Sequence, residues 1–249
     1  MPKGQMKVRL ASRRDITKGF AIFAFAPEVE VSFLPGQYVA LGIREQRRLI
    51  QRDYSIVSSP YQKFLEFFIE LVDDGHLTRR LFHLQPGAEI LVRPPRGRFL
   101  LDRASGRSHH LMIATVTGVA PFVSMLRTLT IEESRGEPPG IQVALLHGAS
   151  HADEFGYDTE LRNMAKRHSW LIYIPTVSRP GENPGWQGET VRVETLIEKT
   201  LDSLQWTALG TTAYLCGHPG MIEKGKKILA GRGFDKAQIR EEEYWVEKK

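Results

Sequence analysis

The chain of 249 residues holds a single cysteine, Cys216. One thiol excludes an internal disulfide framework and a four-cysteine iron–sulfur cluster within the chain, so redox chemistry here needs an organic cofactor or a partner protein. Long apolar runs are also missing. The early stretch Gly19–Ala26 (GFAIFAFA) falls far short of the roughly 20 residues that a membrane-spanning helix requires. The opening MPKGQMKVRLASRRD places charges where a secretory leader has its apolar segment, so no membrane association and a cytoplasmic location are expected. Internal repeats and low-complexity tracts are absent. Basic residues cluster in Arg44–Arg52 (REQRRLIQR), yet neither zinc-finger spacing nor an RNA-recognition aromatic motif accompanies them, and nucleic acid is not an expected partner. The run and the net charge of +5 suit either a solvated face or attraction to an acidic protein or polyanionic cofactor.

What is present is the composition of a folded chain, 41% apolar and 25% charged, long enough for one large or two modest domains. Up to about residue 103, short apolar segments such as GFAIFAFAP, QYVALGI, FLEFFIELV and AEILVRPP recur between Gly and Pro turn signals. That rhythm predicts an antiparallel β-barrel. It is interrupted by LTRRLFHL, where Leu77, Leu81 and Leu84 have helical spacing. After the small polar stretch Asp102–Ser108 the pattern changes to apolar strands alternating with helix-like segments: HLMIATV, PFVSMLRTLTIEES, IQVALLHGAS, YDTELRNMAKRH, WLIYIPTVS, ETLIEKTL, TAYLCG and MIEKGKKILAGRG. This predicts an α/β domain on a parallel sheet, with ligands beyond the carboxyl ends of its strands. The expected division is residues 1–103 and 104–249.

Five constellations stand out. In Arg52-Asp53-Tyr54-Ser55, strand alternation places Arg52 and Tyr54 on one face and Ser55 on the other. A guanidinium beside an aromatic ring suits a ligand with a phosphate and a flat ring, although an ordinary strand reads the same. Asp74-Gly75-His76-Leu77-Thr78 leads into the short helix and offers first-turn amides and a hydroxyl to an anion, or simple capping by Asp74 or Thr78. Thr115-Val116-Thr117-Gly118-Val119-Ala120-Pro121-Phe122 joins an apolar strand to a helix that starts at proline. Tyr214-Leu215-Cys216-Gly217-His218-Pro219 repeats the strand-to-glycine-turn arrangement, its cysteine either a small buried hydrophobe or part of a site. The pair Tyr244-Trp245 near the C-terminus calls for a packing partner.

In this order, RDYS, DGHLT, TVTGVAPF, CGHPGM and EYWVEKK resemble the ferredoxin–NADP reductase family in its bacterial, FAD-containing branch. The family pattern is R-x-Y-S, G-x-L-T/S, G-T-G-x-A-P-F, C-G-x-P-x-M and a terminal aromatic. The resemblance implies an FAD-binding barrel followed by an NADP-binding domain, with electrons passing between NADPH and ferredoxin or flavodoxin in a monomer without a metal site. It implies catalytic roles for Ser55, Tyr54 and Cys216. Arg52 would contact the phosphate-bearing chain of FAD, Tyr54 would lie against the isoalloxazine and Ser55 would bond near its N5. The pyrophosphate would be held at Gly75, His76, Leu77 and Thr78. Thr117 and Gly118 would face the incoming dinucleotide, Cys216 would lie beside the nicotinamide, and Arg179 and Arg192 would bind the 2′-phosphate. Tyr244 would cover the other flavin face and Trp245 would pack on the adenine.

Departures from the pattern are equally specific. Val116 stands where the family has the first glycine of G-T-G, and a β-branched residue is expected to deny a positive φ there. Ser150 replaces the arginine of the family's H-G-x-R stretch, with His151 next to it as a substitute cation. Asp53 must point away from Arg52. Two further readings remain open: a related reductase serving an oxygenase, a flavin or a quinone, and a non-catalytic module that kept only the fold.

Overall fold

The computed structural model describes residues 4–45 and 48–244. The chain divides into two compact units, Met1–Leu101 with Ala120–Gly136, and Asp102–Val119 with Glu137–Lys249.

In the first unit the strands are β1 (Met6–Asp15), β2 (Phe20–Pro27), β3 (Tyr38–Glu45), β4 (Arg48–Ser55), β5 (Leu65–Glu70) and β6 (Glu89–Val92), with a short helix α1 (Thr78–Phe82) between β5 and β6. They form one sheet in the order β4-β3-β6-β1-β2-β5, every pairing antiparallel. Immediately after β4, the Val57 N–H donates to Glu66 O at 2.8 Å, so the two edges of the sheet meet as a barrel requires. Alternation sets the interior: β1 buries Val8 and Leu10 and exposes Arg9 and Ala11. Phe23, Phe25, Phe67, Leu41, Ile69 and Leu81 are fully buried, each such side chain contributing about 1.5–3 kcal/mol over an exposed one.

The division is not one cut in the chain. Helix α2 (Ala120–Ser134) belongs with the first unit. Ser124 Oγ donates to Ser58 O at 2.7 Å, Thr128 Oγ1 lies 2.9 Å from Ser59 Oγ, and the Arg127 guanidinium meets the Glu66 carboxylate at 2.8 Å.

The second unit holds β7 (His109–Thr115), β8 (Gln142–Ala149), β9 (Leu171–Val177), β10 (Thr211–Gly217) and β11 (Ile239–Glu243), with helices α3 (Asp158–Arg167), α4 (Leu196–Leu204) and α5 (Pro219–Gly231). All five strands are parallel, in the order β11-β10-β7-β8-β9. Every residue of β10 is buried, as expected of a parallel strand covered on both faces. The order reverses at β7, whose neighbours are β8 on one side and β10 on the other. This is the topological switch point of a doubly wound sheet, the place where such sheets bind ligands. His218 caps α5 by accepting from the Gly220 N–H at 3.0 Å, and Pro219 occupies the first position, where no N–H is needed.

A polar network fixes the far end of this sheet. The Asp102 N–H donates to Tyr214 Oη at 2.9 Å, and that hydroxyl lies 2.9 Å from His110 Nδ1. The Asp102 carboxylate, 7% exposed, meets Arg240 of β11 at 3.1 Å and Arg107 at 3.7 Å. Burial raises the Asp102 pKa, but Arg240 and the bonds from Ser105 outweigh it and hold the pKa below the ordinary value. Burial drives the His110 pKa down to about 4, so the imidazole beside Tyr214 is neutral. A carboxyl with a lowered folded-state pKa stabilises above its unfolded pKa and loses that contribution as pH falls through the folded one. Asp102→Asn should therefore cost about 1–3 kcal/mol at neutral pH, with the gap from the wild type narrowing in acid below the usual aspartate range. Denaturant midpoints at several pH values test this, and a gap that does not change with pH would contradict it.

Candidate functional site

At the switch point the ends of β7 and β10 touch backbone to backbone. A Cβ on Gly118 would lie 2.3 Å from Cys216 O and 2.8 Å from Gly217 Cα. Gly217 itself has φ +125, and a Cβ there would lie 2.2 Å from Thr115 Oγ1. The same Thr115 hydroxyl accepts from the His218 N–H at 2.8 Å. The Tyr244 N–H donates to Gly217 O at 3.1 Å, which brings Tyr244 to this corner. Four of the expected residues, Thr117, Gly118, Cys216 and Tyr244, thus converge at the carboxyl ends of two adjacent strands. Trp245 lies outside the described residues.

Cys216 is fully buried. Burial, with the Glu242 charge adding to it and a bond from Tyr244 opposing it, pushes the thiol pKa well above its ordinary value. Cys216 is therefore a neutral packing group and not a thiolate nucleophile.

Val116 departs from expectation. It adopts φ +44, the left-handed conformation that its β-branch was expected to prevent, at a cost of order 1–3 kcal/mol. Two features hold it there. Its side chain packs with Ala149, Phe155 and Val177, and its carbonyl accepts from His147 Nε2 at 3.0 Å. The turn Val116–Val119 then runs straight into α2.

Further along the carboxyl edge, the loops after β8 and β9 are tied to each other. His151 Nδ1 lies 3.0 Å from Glu154 and Nε2 lies 2.8 Å from Glu182, while Arg179 approaches the same Glu182 oxygen at 3.7 Å. Asn183 adds bonds to Ser150 O, Arg179 O and the Ala152 N–H. The bond from Glu182, then that from Glu154, raises the His151 pKa. The two basic side chains nearest the position of Ser150, His151 and Arg179, both already face Glu182. Arg192 stands one residue beyond Val191, whose carbonyl accepts from Thr176 Oγ1 of β9 at 2.6 Å, and it opens the turn before α4.

In the first unit, edge strand β4 carries Arg52, Tyr54 and Ser55. Asp53 alternates with Arg52, and its carboxylate is gripped by Arg96 at 2.8 and 3.0 Å, which leaves the face of Arg52 and Tyr54 without it. Tyr54 packs on the barrel core, and burial raises its pKa. Ser55 is 5% exposed. Helix α1 has no side-chain cap, so amides at His76, Leu77 and Thr78 precede its first internal bonds. Thr78 differs from expectation: its hydroxyl lies 3.2 Å from Val72 N and 3.4 Å from Val72 O and is engaged with that peptide. Arg80 of α1 forks onto Glu45 of β3 at 2.6 Å through Nε and Nη2. This clamps the helix carrying the amides to the strand paired with β4.

A flat aromatic and a cation on an edge strand, free helix amides, and a glycine-lined switch point define a flavin- and pyridine-nucleotide-dependent oxidoreductase. The donor set fits FAD: one guanidinium and first-turn amides for its phosphates, and an aromatic ring for its ring system. Sequence profiles agree. The oxidoreductase FAD-binding domain matches residues 7–100 and the oxidoreductase NAD-binding domain matches residues 112–227. The chain is 34% identical over 211 residues to a ferredoxin–NADP reductase of Pseudomonas aeruginosa, covering 81% of this chain and 80% of the relative. It is 32% identical over 208 residues to a flavodoxin/ferredoxin–NADP reductase of Escherichia coli, covering 82% and 80%. A crystal structure of a ferredoxin NADP+ reductase from Neisseria gonorrhoeae with bound FAD and NADP shares the fold, with TM-score 0.85, 24% identity and coverage of 97% and 99%. The chain belongs to the ferredoxin–NADP reductase family.

Gly118→Ala must displace backbone atoms of β10, so a marked fall in thermal midpoint and loss of dinucleotide binding are expected. Gly231→Ala, at the end of α5 with nothing within 4 Å of a Cβ, is the control and should be neutral or stabilising by up to about 1 kcal/mol. Equal midpoints for the two variants would contradict the backbone contact.

Proposed function

We propose that this chain is an FAD-dependent reductase that couples NADPH to a one-electron carrier, ferredoxin or flavodoxin. The observation that carries the reading is the close glycine junction of β7 and β10 at the switch point, the place where doubly wound sheets bind ligands. Bound FAD supplies the redox chemistry, since a flavin takes up a hydride and releases electrons singly.

The chain's own part is binding and orientation. Arg52 and the amides of His76, Leu77 and Thr78 hold the flavin's phosphates, the Gly75 N–H being spent on Val72 O at 2.9 Å; Tyr54 supports the flavin ring, and the Ser55 hydroxyl donates a hydrogen bond to it. Thr117 and Gly118 receive the dinucleotide phosphates through backbone amides. The neutral Cys216 thiol packs beside the nicotinamide, where its protonated state keeps it inert. Arg179 and Arg192 supply charge for the 2′-phosphate.

Charge supports the carrier. The first unit has 18 Lys and Arg against 12 Asp and Glu, and the second has 16 against 17. The positive excess therefore lies wholly with the flavin-binding unit, and an acidic carrier would be steered to it.

The visible spectrum of the purified, FAD-reconstituted protein tests the core of this reading: flavin bands should appear and bleach on anaerobic addition of NADPH. Reduction of an acidic carrier should fall steeply with salt, while reduction of a small neutral quinone should not. A protein that stays colourless, or a carrier reaction indifferent to salt, would refute the corresponding part. Removing the carboxylate facing Arg179 and His151, by Glu182→Gln, should lower KM for NADPH several-fold and leave that for NADH unchanged. Equal effects on both coenzymes would show that these cations do not meet the 2′-phosphate.

A further inference from the structure

The function proposed above makes no use of His147, a fully buried residue near the end of β8. Its Nε2 lies 3.0 Å from Val116 O. A carbonyl can only accept, so Nε2 carries the hydrogen. In a neutral ring Nδ1 is then an acceptor, and it faces the Tyr173 hydroxyl at 3.2 Å. Burial holds the imidazole neutral, with a pKa down to about 4. Packing fixes the ring as well, with the Phe155 ring edge-on at 4.8 Å. Both nitrogens and the ring plane are determined, so the bond to Val116 has a fixed direction.

That direction matters because of peptide geometry. In a trans peptide the C=O of one residue and the N–H of the next point in opposite directions. No cis peptide occurs among the described residues. Drawing the Val116 carbonyl onto His147 therefore turns the Thr117 N–H away from β8. Val116 makes this bond at a φ of +44, a conformation that glycine adopts freely and valine resists.

We infer that His147 is a positioning residue: through its bond to the Val116 carbonyl it holds the Val116–Thr117 peptide in the orientation that presents the Thr117 N–H to the dinucleotide. It does with a side chain what a glycine at position 116 would permit unaided. The presentation to a dinucleotide rests on the function proposed above, whereas the hold on the peptide does not.

The test is a double-mutant cycle on the FAD-loaded full chain, using His147→Phe, Val116→Gly and the pair. KM and kcat for NADPH are measured with a small quinone acceptor, and unfolding midpoints are measured without coenzyme. His147→Phe keeps the ring and removes both nitrogens. It should raise KM about tenfold with a much smaller change in kcat, the effect of losing one buried hydrogen bond. With glycine at 116 the same change should raise KM about twofold or less. His147→Gln, whose amide falls near Nε2, should stay close to the wild type. His147→Asn, whose amide falls near Nδ1, should not. If the phenylalanine variant does not fold, the comparison of the glutamine and asparagine variants decides. Equal effects of His147→Phe in both backgrounds, or equal KM for the glutamine and asparagine variants, would overturn the inference. Coupling in the midpoints with an unmoved KM would retain the hold on the peptide and overturn the placement of the dinucleotide at this turn.

Discussion

Where β7 and β10 end, main chain lies against main chain, and only glycine at 118 and 217 allows it. The doubly wound order of the sheet brings these two strand ends together, because β10, distant in sequence, pairs with β7 on the side opposite β8. Once they meet, the next residues have little freedom. Thr115 is bonded to the start of α5, Tyr244 is bonded to Gly217, and Cys216 is sealed beneath. A cysteine in so closed a position is chemically quiet, and its small volume explains its presence better than its sulfur does. The corner proposed for the dinucleotide is thus the product of a backbone contact, around which the side chains are arranged.

Electrostatics acts on two length scales in this molecule. At short range, carboxylates and guanidinium groups lock elements together: Glu45 with Arg80, Asp53 with Arg96, and Asp102 with Arg240. The first two stand beside the proposed flavin site and use charge to order its framework, leaving Arg52 on the opposite strand face from Asp53. At long range the unpaired remainder is what counts, and it is concentrated in one unit. Short pairs determine where groups sit, while the residual field determines which partners arrive quickly.

The two-part architecture was legible because both hydrophobic periods, two and continuous, are written into separate stretches of sequence. The order of the five motifs then named the family. What remained hidden arose from contacts distant in sequence. Nothing near Val116 announces that His147, in the next strand, will hold its carbonyl, so valine at that position read as an obstacle. Thr78 looked like a free hydroxyl because its partner, the Val72 peptide, is defined only after the chain turns. Glu182 stands three residues from Arg179 in the chain, but its bond to His151 depends on two loops meeting. The signal for His147 was a polar residue inside the apolar run VALLH, a position where a histidine needs partners for both nitrogens.

Helix α2 follows directly from the Val116–Val119 turn, yet its polar side chains bond Ser58, Ser59 and Glu66 of the barrel unit. The polypeptide consequently passes from one unit to the other three times, after residues 101, 119 and 136. Such a protein is not modular in the way that beads on a string are. Severing it at a single linker would leave the nucleotide half with an orphaned helix, buried on nearly every side and deprived of its serine partners. Recombining halves among relatives would succeed only where the helix and the barrel surface it bonds are inherited together.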